Sequence, residues 1–193
     1  MVLKIIPRYY IRYKGFNSFF TGLTVGAVFT IYAALDPSIF SLGGIFLAIG
    51  MFVVAKFYEK ILNIKTFYYV SLLVEWVMMF LVAWYLLNPY GFTTALLVYM
   101  GYQVTFMFGS YLVRAETLFL HRKQILSWVD MAKQAGYLGG MLVSWLFYKI
   151  IVWGWQIEDH AKQVYYLHWL LLLTEIAIIY LLVRSFEKSK GHL

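Results

Sequence analysis

Between residues 16 and 35 the chain runs for twenty positions without a charged side chain, and runs of similar length with at most two charges recur at 39–55, 66–87, 92–113, 127–148 and 164–183. Segments of this length match the hydrocarbon thickness of a bilayer when helical. In lipid every backbone N–H and C=O needs a partner within the protein, which leaves helices and closed barrels as the spanning structures. Nothing in these runs alternates with the period of two that a barrel strand needs. The sequence therefore predicts an all-α membrane protein with six transmembrane helices.

Composition points the same way. The chain is 63% hydrophobic and 13% charged, with a mean hydropathy of +0.73 over 193 residues. A soluble domain of this size cannot bury that much apolar surface. The net charge of +7 is then read as topology and attraction to lipid, with no nucleic-acid partner. The chain has no cysteine, which excludes disulfides, thiolate metal sites and cysteine nucleophiles. It shows no metal-spaced His cluster, P-loop or nucleophile elbow, so no enzyme activity, metal or cofactor is expected.

In order, residues 1–15 read as a cytoplasmic interfacial segment in which Lys4, Arg8, Arg12 and Lys14 alternate with Tyr9, Tyr10 and Tyr13. A signal peptide is not expected, because this basic segment leads into the first span without a small-residue cleavage site. The membrane domain covers 16–183, with an interfacial loop at 114–130 expected to lie in the interface as a short helix, and 184–193 form a cytoplasmic tail. Asp36-Pro37-Ser38 and Asn88-Pro89-Tyr90-Gly91 read as tight turns. Ser127-x-x-Asp130 fits a capping box at the start of the fifth span. Asn17 fits an N-cap of the first.

Counting Lys and Arg on alternate sides fixes the expected orientation. The N-terminus, the 2–3 loop, the 4–5 loop together with the start of the fifth span (Lys133), and the tail hold four, three, four and three of the sixteen, leaving Lys149 and Lys162 on the other side. Such a bias places both termini in the cytoplasm, N-in and C-in, and suits a multi-pass protein of a bacterial inner (plasma) membrane.

Two stripes of small residues stand out. Gly136, Gly140 and Ser144 recur every fourth position in the fifth span, and Gly22, Gly26, Thr30 and Ala34 do so in the first. Small side chains on one face let two helix backbones approach closely. The first stripe is expected to form a homodimer face, or else to pack the fifth span on the first.

The halves of the chain also resemble each other. Residues 50–58, GMFVVAKFY, share five of nine positions with residues 140–148, GMLVSWLFY. Residues 72–81, LLVEWVMMFL, align with 172–181, LLTEIAIIYL, and the glutamates Glu75 and Glu175 coincide. Equivalent spans run in opposite senses, so 16–87 and 91–183 are expected to be two inverted three-helix repeats.

With these features the whole chain resembles the six-helix half of a major facilitator superfamily transporter. That family's 2–3 loop carries Gly-x-x-x-Asp-Arg-x-Gly-Arg; here Gly50 is followed at longer spacing by Glu59, Lys60, Asn63 and Lys65, with Asn63 where the motif has glycine. Glu116 and Arg122, with Arg114 nearby, are similar to the family's acid–base pair at the inner end of the fourth span. Gly136, Gly139 and Gly140 are similar to its fifth-span glycines. The resemblance implies a cytoplasmic charge network of Glu59, Lys60, Lys65, Arg114, Glu116 and Arg122. The family normally has twelve spans, so the resemblance implies either that two copies assemble or that this protein no longer transports.

Candidate substrate or coupling residues are Glu75, Gln103, Glu175, His168 and Asn17. A carboxyl at the helix centre costs roughly 2.5–3.5 kcal/mol, so each glutamate needs a partner or a pore. The alternatives are proton or cation coupling and a protonated carboxyl bonded to a neighbouring helix. His168 lies two turns before Glu175 on one face, a spacing that suits a proton path or a single interfacial histidine. Gln103, on the helix that lines the cavity in the resembling family, is a substrate contact or a helix bridge. The expected function is a half-size transporter working as a homodimer to move an unknown small-molecule solute by alternating access. Two alternatives are a substrate-capture subunit of a multi-component vitamin importer and a non-transporting accessory protein.

Overall fold

The computed structural model of the protein describes residues 2–189. The elements in order are β1 (Val2–Ile5), α1 (Pro7–Tyr32), α2 (Pro37–Lys56), α3 (Tyr58–Ile61), α4 (Ile64–Leu87), α5 (Phe92–Met107), α6 (Gly109–Leu120), α7 (Lys123–Trp155), α8 (His160–Arg184) and β2 (Phe186–Ser189). Helices thus dominate, as the apolar runs require. By length and composition, five can cross a membrane: α2, α4, α5 with α6 as one unit, α7 and α8. α1 is of similar length, 26 residues, but its first half carries Tyr13, Lys14 and Asn17 among the apolar positions.

Local chemistry sets most helix starts. Pro7 and Pro37 sit at first helical positions, where the missing N–H costs nothing. Asn63 caps α4 by accepting from the Thr66 N–H at 2.9 Å, and Asp159 caps α8 by accepting from the Ala161 N–H at 2.9 Å. α7 ends at Gln156 with a left-handed backbone, φ 55°. It begins at Lys123, one turn before Ser127, so Ser127-x-x-Asp130 lies inside the helix and caps nothing.

α1 is the axis of the bundle and packs along both α7 and α8; α4 packs on α8 and α5, and α2 on α5. The small-residue stripes make the first of these contacts. A methyl group on Gly140 would overlap the Phe19 carbonyl oxygen and lie 2.9 Å from the Leu23 nitrogen and 3.0 Å from the Gly22 Cα. One on Gly136 would overlap the Gly15 carbonyl. Ser144 completes the seam by donating to the Leu23 carbonyl at 3.2 Å. The Gly136/Gly140/Ser144 face is therefore filled by α1 of the same chain, and no second copy can dock on it. In the same way Gly50 of α2 rests on the Met107 side chain of α5, and Gly43 on Tyr99, whose hydroxyl donates to the Phe40 carbonyl at 3.0 Å.

The two termini differ from the expected interfacial segment and free tail. β1 and β2 form an antiparallel pair with Lys4 opposite Glu187 and Ile5 opposite Phe186. Residues 7–14 are the first two turns of α1, and Tyr10 and Tyr13 are buried there. Phe186 packs on the rings of Tyr10, Phe67 and Tyr68, which ties the sheet to the bundle end. Most of the expected 114–130 loop is helical: α6 runs to Leu120, and a two-residue corner at His121 and Arg122 leads into α7. The end of the expected tail, 190–193, lies outside the described residues.

Candidate functional site

The polar side chains inside the bundle collect on one stripe of α1. Tyr10, Tyr13, Lys14 and Asn17 are spaced three and four apart, so they share a helix face. That face meets α4, α6, α7 and α8, and three carboxyl groups, Glu75, Glu116 and Glu175, come to it.

The deeper group is centred on Glu75 of α4, 1% exposed. Its Oε1 accepts from the Tyr13 hydroxyl at 2.5 Å, and the Asn17 amide nitrogen donates to Oε1 and Oε2 at 3.1 and 3.2 Å. Asn17 is thus a mid-helix donor to another helix, because α1 starts ten residues before it; it caps nothing. Glu175 of α8 is equally buried, and neither of its oxygens meets a hydroxyl, amide or N–H donor among the described residues. Across the α4–α8 contact it lies beside the Glu75 carboxyl. Two carboxylates in contact in a low-dielectric interior repel strongly, whereas one shared proton turns repulsion into a hydrogen bond. The arrangement is a pair of buried carboxyls with one well-bonded member and one bare member.

The second group is centred on Glu116 at the end of α6, 4% exposed. Oε2 accepts from the Tyr10 hydroxyl at 2.7 Å and lies 3.1 Å from the Lys14 ammonium; Oε1 lies 2.5 Å from the Lys133 ammonium. Lys133 also reaches Asp130 at 3.3 Å. Three helices, α1, α6 and α7, are clamped by one carboxylate. The rings of Tyr10 and Tyr13, 5.6 Å apart, connect this cluster to the Glu75 pair.

The expected cytoplasmic charge network takes a different form. Glu116 is its centre, but its cations are Lys14 and Lys133, and Arg122 stands exposed at the α6–α7 corner. Arg114 lies over the Tyr58 ring at 5.5 Å. Glu59, Lys60 and Lys65 are exposed and make no ion pair among the described residues. Gln103 is half-buried on α5 without a side-chain hydrogen bond among the described residues. His168 is buried apart from the glutamates: it bonds the Val164 carbonyl at 2.7 Å and stacks on Tyr85 with ring centres 3.8 Å apart.

Between the glutamate pair and the far end of the bundle lies a small space walled by Phe20, Thr24, Met78, Tyr102 and His168, about 20 Å³ in volume. That is room for one water molecule and for no solute.

Sequence reasoning named Glu75, Glu175, Glu116 and Asn17 but missed Tyr10, Tyr13, Lys14 and Lys133, which carry the contacts. The available signal was the period of Tyr10, Tyr13 and Asn17, read as a continuation of the α1 face into the basic segment. No family model matches the sequence, and no characterised protein and no solved structure is significantly similar to it.

Proposed function

We propose that this protein is a half-size facilitator-type membrane transporter in which the Glu75–Glu175 pair takes up and returns a coupling proton. The observation that carries the reading is the pair itself, a bare buried carboxyl of α8 against a bonded carboxyl of α4. A static structural role would leave both carboxyls with donors, since an unpartnered polar atom in the membrane interior costs several kcal/mol.

The six-span architecture has two supports. The β1–β2 pairing holds both chain ends on one side, and an even number of crossings follows. Five apolar spans plus α1 make six. The packing scheme also survives exchange of the two halves. Replacing α1 by α5, α2 by α7 and α4 by α8 turns the α1–α7 contact into α5–α2 and the α1–α8 contact into α5–α4, and it leaves α4–α8 in place. Gly140 against α1 and Gly50 against α5 follow the same exchange. Glu75 and Glu175 then meet at the contact common to both repeats, the midplane position at which inverted-repeat transporters bind ligands and ions. In this reading the solute site lies between two copies, because the space beside the glutamate pair admits a single water. The basic bias of the loops supports cytoplasmic termini in a plasma membrane.

The same small interior space favours a second reading, a non-transporting accessory protein that uses the carboxyl pair only as a structural lock. Reconstitution separates them. Photobleaching step counts in nanodiscs read the oligomeric state, with two per disc expected. Solid-supported-membrane currents from proteoliposomes, challenged in turn with organic cations, amino acids and sugars under a pH gradient, read transport. A current for one class that loses its pH dependence in the Glu75→Gln/Glu175→Gln variant supports the transporter. Single copies without current for any class support the accessory protein.

A further inference from the structure

A second built feature lies at the opposite end of α4 from the Asn88 turn, beside the terminal sheet. Leu3, Lys4, Ile5 and Pro7, the α4 start at Ile64, and Phe119 to Arg122 with Ile125 at the α6–α7 corner enclose a pocket of about 480 Å³. Its floor is apolar, with Ile5 and Leu120 buried and Ile64, Phe119 and Ile125 half-buried. Its rim carries Lys4, His121 and Arg122, all exposed and none in an ion pair among the described residues. Glu187, opposite Lys4 on β2, is also exposed, and Glu116, one turn before Leu120, is taken up by Lys14 and Lys133. The walls are helix ends, where a spanning helix leaves the hydrocarbon and enters the headgroup layer. His121 holds a positive φ of 46° at the corner, an uncommon backbone for a non-glycine residue, and Arg122 follows it directly.

A cationic rim over an apolar floor at headgroup depth matches one ligand chemistry, a phosphate diester with an acyl chain beneath it. We propose that this pocket binds an anionic phospholipid, its phosphate held by Lys4 and Arg122 with the His121 ring beside them, and its chain laid along Ile64, Phe119 and Ile125. Neutral zwitterionic lipid carries its own ammonium group and gains less from this rim. Because β1 forms one wall and pairs with β2, a bound lipid also braces the junction of the two chain ends.

The test uses the full chain, delipidated in detergent and titrated with phosphatidylglycerol or phosphatidylcholine, with bound lipid read by native mass spectrometry. The expected result is preferential binding of phosphatidylglycerol that falls on the order of tenfold or more in the Lys4→Gln/Arg122→Gln variant. The control is Lys56→Gln/Lys60→Gln, which removes two charges outside the pocket and should leave that binding within about twofold. Thermal melting of each variant without lipid confirms an intact fold, and the single Arg122→Gln, at an exposed corner, gives a milder variant that should lose part of the preference. Equal affinity for the two lipids overturns the proposal, and so does an equal loss in the control pair. Displacement of phosphatidylglycerol by millimolar inorganic phosphate or glycerol phosphate also overturns it, since a soluble phosphate would then be the occupant.

Discussion

Gly140 offers the sharpest test of how this bundle is held. Substituting alanine adds one methyl group to a face where the Phe19 carbonyl oxygen, the Leu23 nitrogen and the Gly22 Cα already sit at or inside contact distance. All three are backbone atoms of α1, so no rotamer change relieves the overlap, and the two helices must separate. Forcing a methyl-sized group into a filled contact costs roughly 1–3 kcal/mol, and a seam made of backbone stands at the upper end. Separation also stretches the Ser144–Leu23 hydrogen bond, and such interhelical bonds average about 0.6 kcal/mol in membranes. Alanine returns up to about 1 kcal/mol through its helix propensity. The net expectation is a loss of about 1–3 kcal/mol. Gly139 is the internal control: its added methyl would lie 3.7 Å from the Phe19 ring, an ordinary contact. Gly139→Ala should be neutral or more stable by up to about 1 kcal/mol. The assay is reversible unfolding in mixed micelles of increasing SDS fraction, followed by circular dichroism. Equal stability of the two variants would refute the idea that α1 and α7 meet through this face.

Tyr13→Phe removes one of the two donors to Glu75 and should cost about 1–3 kcal/mol in the same assay, while Tyr137→Phe on α7, a tyrosine outside both clusters, should change little. Glu116→Gln strands Lys14 and Lys133 against each other and should lower stability by about 1–3 kcal/mol, less than for a fully buried pair because both lysines are partly exposed; an unchanged transition would mean the clamp carries no net energy. In this cysteine-free chain, Lys4→Cys with Glu187→Cys should oxidise to an intramolecular disulfide, since the two positions face each other across the sheet. Single cysteines at 121, 158 and 188, probed with an impermeant thiol reagent on intact cells, should label only at 158; labelling of 121 from outside would invert the topology.

The sequence by itself determined the solvent and the local structure. Uncharged runs of membrane length allow only helices in lipid, and the excess of Lys and Arg on alternate sides sets the expected orientation. Helix punctuation was legible at Pro37 and at the Asn88–Gly91 turn, because turns depend on residues within a few positions; the caps at Asn63 and Asp159 went unread. The stripes of Gly22 and Gly140 announced close approach, which is a property of one helix face. Only the tertiary structure decided which faces meet. Gly140 meets Gly22 of its own chain, across 118 positions, so the stripe is spent within one copy. Asn17 and the capping box of Ser127 and Asp130 misled because local capping rules cannot see that both helices begin earlier. Tyr10 and Tyr13 looked like interfacial anchors, since tyrosine beside arginine suits a headgroup layer as well as it suits a buried hydroxyl. They became donors when α1 came to lie between α4, α6 and α7, at separations of 106 and 62 residues from their acceptors. No periodicity within a single span encodes such a pairing. It follows from the packing of all the helices at once, and each glutamate takes whichever donor that packing brings near or, like Glu175, is left with only another carboxyl.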